Sequence, residues 1–260
     1  LTTAPPVRAP IRSTAFAILI LATISVLSFP SVVGARPTAP LTVRAAVLTP
    51  DGTDSYVFDA RRDSVRVSAN ATNTSGNLRT VFWSSDASVQ RDATTCATWN
   101  TESSDKLQQG AALRISEDAN GAVRAITVTK NVFPYGSWIF NVHVWSGTGP
   151  MQRLISVDLG ATLSRASSPP VPKPLPWRVC ARTEGSTFRF KAWPLVDAEP
   201  RWGDPRSGGS VVLPENAPTE GYPGWYAGHL SEGMTATFTD LRTEPVVPLL
   251  STDASGSLAR

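Results

Sequence analysis

Asn141, His143 and Trp145 carry ligand-recognising groups at every second position of the segment Trp138–Trp145 (WIFNVHVW). In an extended chain alternate residues point the same way, so these three share a side with Ile139. Trp138, Phe140, Val142 and Val144 take the opposite, core-facing side. An amide, an imidazole and an indole on one face suit a sugar. The indole covers the C–H side of a pyranose ring, and the other two bond its hydroxyls. The plainer reading is a half-buried sheet face in which His143 is satisfied locally. Trp225 and His229, in Trp225–Leu230 (WYAGHL), repeat the indole–imidazole pairing on one side of a second segment and extend the candidate ligand set.

Asp197, Glu199 and Asp204 gather around Trp202 and form the candidate acidic cluster. Glycoside cleavage needs two carboxyls about 5–9.5 Å apart across a groove. These three stand in an irregular, Pro-rich stretch, where solvated loop acids are the plainer reading. His143 and His229 are the two histidines of the chain, and no spacing joins them to carboxylates as metal ligands. No G-x-S-x-G elbow, phosphate loop or dinucleotide fingerprint occurs. The expectation is therefore no catalytic set, no metal and no cofactor.

The elements that must position these residues are strands. Thr42–Leu48, Ser64–Ala71, Leu78–Ser84, Ala111–Ser116, Ala122–Thr129, Trp138–Trp145, Arg153–Leu159, Trp177–Thr183, Thr187–Trp193, Trp225–Leu230 and Ala236–Arg242 are short β-type runs. Gly, Pro, Asn, Asp and Ser clusters separate them. Asn120-Gly121 marks a hairpin between the fourth and fifth. Many regular strands without crossover helices predict an all-β, antiparallel sandwich. Arg165–Pro176 is Pro-rich and reads as a long surface connection, which leaves one sandwich over residues 41–244.

Ahead of it, Ala15–Gly34 is an uncharged apolar run preceded by Arg8 and Arg12. Small residues follow Pro30 at Gly34 and Ala35. This is the layout of a secretory signal over residues 1–35, followed by a linker over 36–40. The rival is an uncleaved membrane anchor, since the run is close to the roughly 20 residues of a span. Residues 245–260 lose strand periodicity and read as a loose tail.

The chain has 260 residues and a formal net charge of +3. Arg8 and Arg12 supply two of those charges, so the sandwich is close to neutral. That excludes the basic footprint of a nucleic-acid partner and any membrane contact beyond the N-terminal segment. Cys96 and Cys180 are the only cysteines. In an oxidising compartment they are expected to pair, closing a loop of about 84 residues.

The second half carries an ordered series. Trp177-Arg178-Val179 leads to Glu184-Gly185, Phe188–Trp193, Glu199-Pro200-Arg201-Trp202, Gly221–Trp225 and the closing Ala236–Leu241. The series resembles the C-terminal half of concanavalin A-like lectin/glucanase sandwiches, especially laminin-G-like and keto-disaccharide-hydrolase-like modules. The resemblance implies a jelly-roll fold. The alternating acids of the glucanase members are missing, so it does not extend to glucanase chemistry. The leading expectation is an exported, non-catalytic lectin-like protein that binds carbohydrate or another cell-envelope component. A glycan hydrolase and a structural envelope protein that docks another protein are the alternatives. N-terminal analysis of exported protein should begin at or near Arg36; a membrane-retained chain that keeps Ala15–Gly34 would establish the anchor instead.

Overall fold

A computed structural model describes residues 40–246, apart from 53–54, 71–75, 105, 133–135, 137 and 148. The expected leader over residues 1–35, the expected linker over 36–40 except residue 40, and the expected tail over 245–260 from residue 247 onward lie outside the described residues. Two antiparallel sheets of seven strands each face one another. The first holds, in spatial order, β1 (Val43–Thr49), β4 (Arg79–Ser84), β15 (Tyr222–Gly228), β6 (Gln108–Glu117), β7 (Val123–Lys130), β8 (Ile139–Ser146) and β9 (Gln152–Asp158). The second holds β14 (Gly208–Val212), β13 (Thr187–Pro194), β12 (Trp177–Glu184), β5 (Ala93–Glu102), β16 (Thr235–Pro245), β3 (Ser64–Ala69) and β2 (Tyr56–Ala60). A short ladder of β10 (Ser164–Arg165) and β11 (Val171–Pro172) and a single-turn helix α1 (Gly160–Leu163) complete the described elements. The expected single sandwich is present, with strands from both halves of the chain in each sheet.

Alternation explains most strands. In β3, Val65 and Val67 enter the core while Arg66 faces water. The β6–β7 hairpin turns as its Asn-Gly pair predicts. The Asp118 carboxylate accepts the backbone N–H groups of Asn120 and Ala122, at 2.8 and 2.9 Å, and Gly121 takes φ +76°. At the other end the closing strand runs past Arg242 to Pro245, which pairs with Ala93. The closing strand thus extends beyond the Ala236–Arg242 run, because backbone pairing to β5 continues where side-chain alternation fades.

The space between the sheets is filled by aromatic rings. Phe140 stacks on Trp99 and on Phe190, each at 5.7 Å, joining the first sheet to the second. Phe82 meets Trp225 at 5.6 Å and Phe238 at 5.3 Å. A separate cluster lies on the outer side of the first sheet. Ala46, Val81, Trp83, Ala112, Ile115, Ala125, Trp145 and Tyr226 pack there, and β1 also touches β7. The first sheet is therefore rolled, with its edge strand crossing its own outer face. Gly224 permits the tight approach of β15 to β4, since a Cβ there would lie 2.3 Å from the Phe82 carbonyl oxygen.

One buried cation ties the two sheets together. Arg114 takes φ +52° at a bulge in β6 and is 5% exposed. Its guanidinium donates to the carbonyls of Arg91 (2.8 Å), Pro218 (3.1 Å) and Gly185 (2.6 Å) and to Asp92 (3.3 Å). Burial pulls its pKa down, and Asp92 opposes that shift. Replacing it by Met removes the counter-charge of Asp92 and the guanidinium donor of three carbonyls. Arg114→Met should cost about 3–5 kcal/mol, the range for breaking one side of a buried pair. Urea unfolding measures it, and a loss below about 1 kcal/mol would show that the clamp is dispensable.

Candidate functional site

The second sheet carries a cleft on its outer face, and strand register builds it row by row. One row runs Glu244, Thr94, Arg182, Arg189 across β16, β5, β12 and β13. The next runs Arg242, Cys96, Cys180, Lys191. The third runs Thr98, Arg178, Trp193. The middle row is the floor. Cys96 and Cys180 lie directly opposite each other, Cα atoms 4.1 Å apart, and are joined by the expected disulfide. The disulfide staples neighbouring strands of one sheet. The cleft encloses about 200 Å³ between Trp193, Arg178 and Arg242 on one side and Arg182, Trp202 and Glu199 on the other.

Trp202 comes from the irregular stretch after β13 and is held over the sheet by cations. Arg182 Cζ and Lys191 Nζ each lie 4.6 Å from its ring centroid, and Lys191 lies 5.3 Å from Trp193. Lys191 is buried and donates to Glu199 Oε1 at 2.6 Å and to the Pro200 carbonyl at 2.9 Å. That one ammonium pins the whole loop onto β13. Beside it, a bulge in β16 puts Asp240 at φ +49°. Arg178 Nη1 reaches its carboxylate at 2.9 Å and its carbonyl at 2.6 Å, and donates to Thr98 Oγ1 at 3.2 Å. Burial lowers the pKa of Arg178, and Asp240 resists the shift. Arg242 also meets Asp240, at 3.0 Å. Charges are thus compensated within the cleft. Among the described residues Glu244 has no ion pair and stays a free acceptor. The cleft offers an indole wall, guanidinium donors and carboxylate acceptors, which together match a neutral polyhydroxylated ring.

The acids expected around Trp202 are divided among separate partners. Glu199 alone lines the cleft. Asp197 pairs with Lys173 at 3.4 Å, and Asp204 accepts the Arg206 backbone N–H at 3.0 Å. Among the described residues no group of three or more His, Cys, Asp or Glu side chains could hold a metal ion.

The other candidate residues stand elsewhere. Asn141, His143 and Trp145 do share the outer face of the first sheet, as alternation predicts, but they are 7%, 8% and 7% exposed. Trp145 belongs to the cluster under β1, and its Nε1–H donates to Thr127 Oγ1 at 2.9 Å. Asn141 Oδ1 accepts the Ser156 hydroxyl at 2.5 Å. The expected open sugar plate is not what this face presents, because the rolled sheet covers the indole. Trp225 points between the sheets and donates to the Cys96 carbonyl at 3.2 Å, so it is core. His229 follows the end of β15 with φ +58°, where strand alternation has ceased, and so shares no face with Trp225. Its Nδ1 lies 3.1 Å from the Gly76 carbonyl, to which the ring nitrogen donates. The missed residues of the cleft were Arg178, Arg182, Lys191 and Trp193. Their signal was the alternation of WRVCAR and FRFKAW, whose polar members all fall on one face.

No family model matches this chain, and no curated protein does. Solved structures do. The carbohydrate-binding module CBM66 from Bacillus subtilis is 11% identical with a TM-score of 0.45, covering 77% of this chain and 94% of that one. The VIP36 exoplasmic/lumenal domain in its Ca²⁺/Man3GlcNAc-bound form is 11% identical at 0.46, covering 75% and 83%. A Bacillus subtilis protein of unknown function with a galectin-like fold is 12% identical at 0.46, covering 79% and 90%. At these scores the likeness carries no function to this chain.

The two histidines generate a pH prediction. Burial, aided by nearby arginines, pushes His143 and His229 each down to about 4, from an ordinary 6.5. The unfolded chain therefore binds more protons between those values, and stability falls as pH drops through that window. Thermal unfolding between pH 7 and 4 should show the fall. The His143→Gln/His229→Gln double variant should flatten it, and an equal fall in that variant would assign the effect to other groups.

Proposed function

We propose that this chain is an exported, non-catalytic lectin-like sandwich, of the concanavalin A-like kind, that binds carbohydrate or another cell-envelope component through the cleft of the second sheet. Trp202 carries the reading. It is a half-buried indole held at the rim of a polar cleft, fixed from the sheet side by Arg182 and Lys191. A ring bound beside it would meet apolar surface on one side and charged hydrogen-bonding groups beneath. Aromatic residues so placed dominate binding energy, because stacking and water exclusion act together. Glu199 is engaged by Lys191 rather than aimed at a second acid, which favours binding over glycoside cleavage. Export is supported by the signal-like segment and is consistent with the disulfide in the cleft floor.

The test is a glycan array with the whole chain, followed by titration of the best ligand. Trp202→Ala should weaken binding by about tenfold or more, the loss expected at an aromatic hot spot, while thermal unfolding stays close to wild type. Wild-type protein that binds no glycan would overturn the reading in favour of a structural envelope protein, and Trp202→Ala that binds as well would overturn the cleft as its site.

A further inference from the structure

The outer face of the first sheet holds a second opening, separate from the cleft. Where the end of β1 crosses the face, Leu48, Thr49, Arg79, Val123, Trp145 and Ser146 line a cavity of about 250 Å³, with Gly149, Pro150 and Met151 at its rim. The charge balance here is the reverse of that in the cleft. Among the described residues no Asp or Glu lines the cavity. Among the described residues Arg79 has no ion pair, and neither does Arg153, which faces His143 across the β8–β9 pair. His143 feels both cations, which with burial keep it neutral; it is nine-tenths buried, and its Nδ1 has no hydrogen-bond partner. Surfaces that bury a guanidinium normally supply its counter-charge, as Asp240 does for Arg178 and Asp92 for Arg114. At the half-buried Arg79 the described residues supply no such counter-charge.

We propose that this cavity binds a hexuronate unit of an acidic saccharide, with the carboxylate on the Arg79 guanidinium. Each part of the wall has a match in that ligand. The planar fork of a guanidinium takes a carboxylate in two parallel hydrogen bonds. Thr49 and Ser146 are hydroxyl partners for ring hydroxyls, and Leu48, Val123 and the part of Trp145 that reaches the cavity meet its C–H surface. The volume is below the roughly 300–1,000 Å³ of sites for drug-sized ligands, so it fits one ring. The inference is independent of the cleft and of Trp202.

Calorimetric titration of the full chain with D-glucuronate, D-glucose and sodium acetate tests it. Glucuronate should bind about tenfold or more tightly than either of the others, since a charge-assisted pair and the ring contacts are both needed. Arg79→Gln should lose that preference. Met151→Trp, at the exposed rim, should block the cavity without disturbing the core, and so reports even if the Arg79 variant folds poorly. Trp202→Ala should leave glucuronate binding unchanged. Glucuronate no better than glucose overturns the proposal. Acetate equal to glucuronate reduces the site to a bare anion site and overturns the saccharide. Binding that survives in Met151→Trp places the ligand elsewhere and overturns it too.

Discussion

The sandwich depends on one buried guanidinium. Arg114 leaves the first sheet at a bulge and satisfies carbonyls at the entrance to β5, in the β12–β13 turn and in the loop before β15. A buried cation is costly unless its donors are used, so the geometry around it is narrowly defined. Asp92 also accepts the Gly185 backbone N–H at 2.8 Å, which fixes the turn to the start of β5. The two strands that carry Cys96 and Cys180 are thereby aligned at their ends. The register that builds the rows of the cleft follows from that alignment. Arg114 thus lies outside the site yet sets where its floor begins.

The two outer faces show opposite solutions to the same problem. A sheet face that does not pack on its partner must meet water or find another cover. The first sheet rolls until β1 crosses its own surface and makes a small second core. The second sheet stays more open and covers itself with an irregular loop, anchored by Lys191 through Glu199 and Pro200. Rolling buries side chains such as Trp145. A loop lid leaves charged groups half in solvent and keeps a cleft between lid and strands. The neutral cleft and the unbalanced cavity at Arg79 follow from these two kinds of cover.

Much of this was legible in the sequence. Alternation in Trp138–Trp145 put Phe140, Val142 and Val144 in the core and Asn141, His143 and Trp145 on the other side, where the structure has them. Asn120-Gly121 located a hairpin, and the cysteine count with its setting anticipated the Cys96–Cys180 bridge. Alternation names the side of a strand and nothing about what covers it. The burial of Trp145 depends on β1, nearly a hundred residues away in sequence, and no local pattern encodes that crossing. The place of His229 was hidden because β15 ends at Gly228, and backbone conformation there departs from the strand. The cleft was within reach, since WRVCAR and FRFKAW each display a polar face. Seeing it required knowing that these two strands are neighbours and that the Trp202 loop folds back over them.

The final strands have a consequence for how the molecule comes into being. β15 sits between β4 and β6 in the interior of the first sheet, and β16 sits between β5 and β3 in the interior of the second. Neither sheet is continuous until both are present. A chain emerging from its N-terminus has only fragments with open inner edges up to about residue 221, and unpaired inner edges seek other strands. The closing segment therefore acts as a keystone. Continuity of the two sheets waits for residues 222–245, and both are then finished by strands that lie next to each other in sequence.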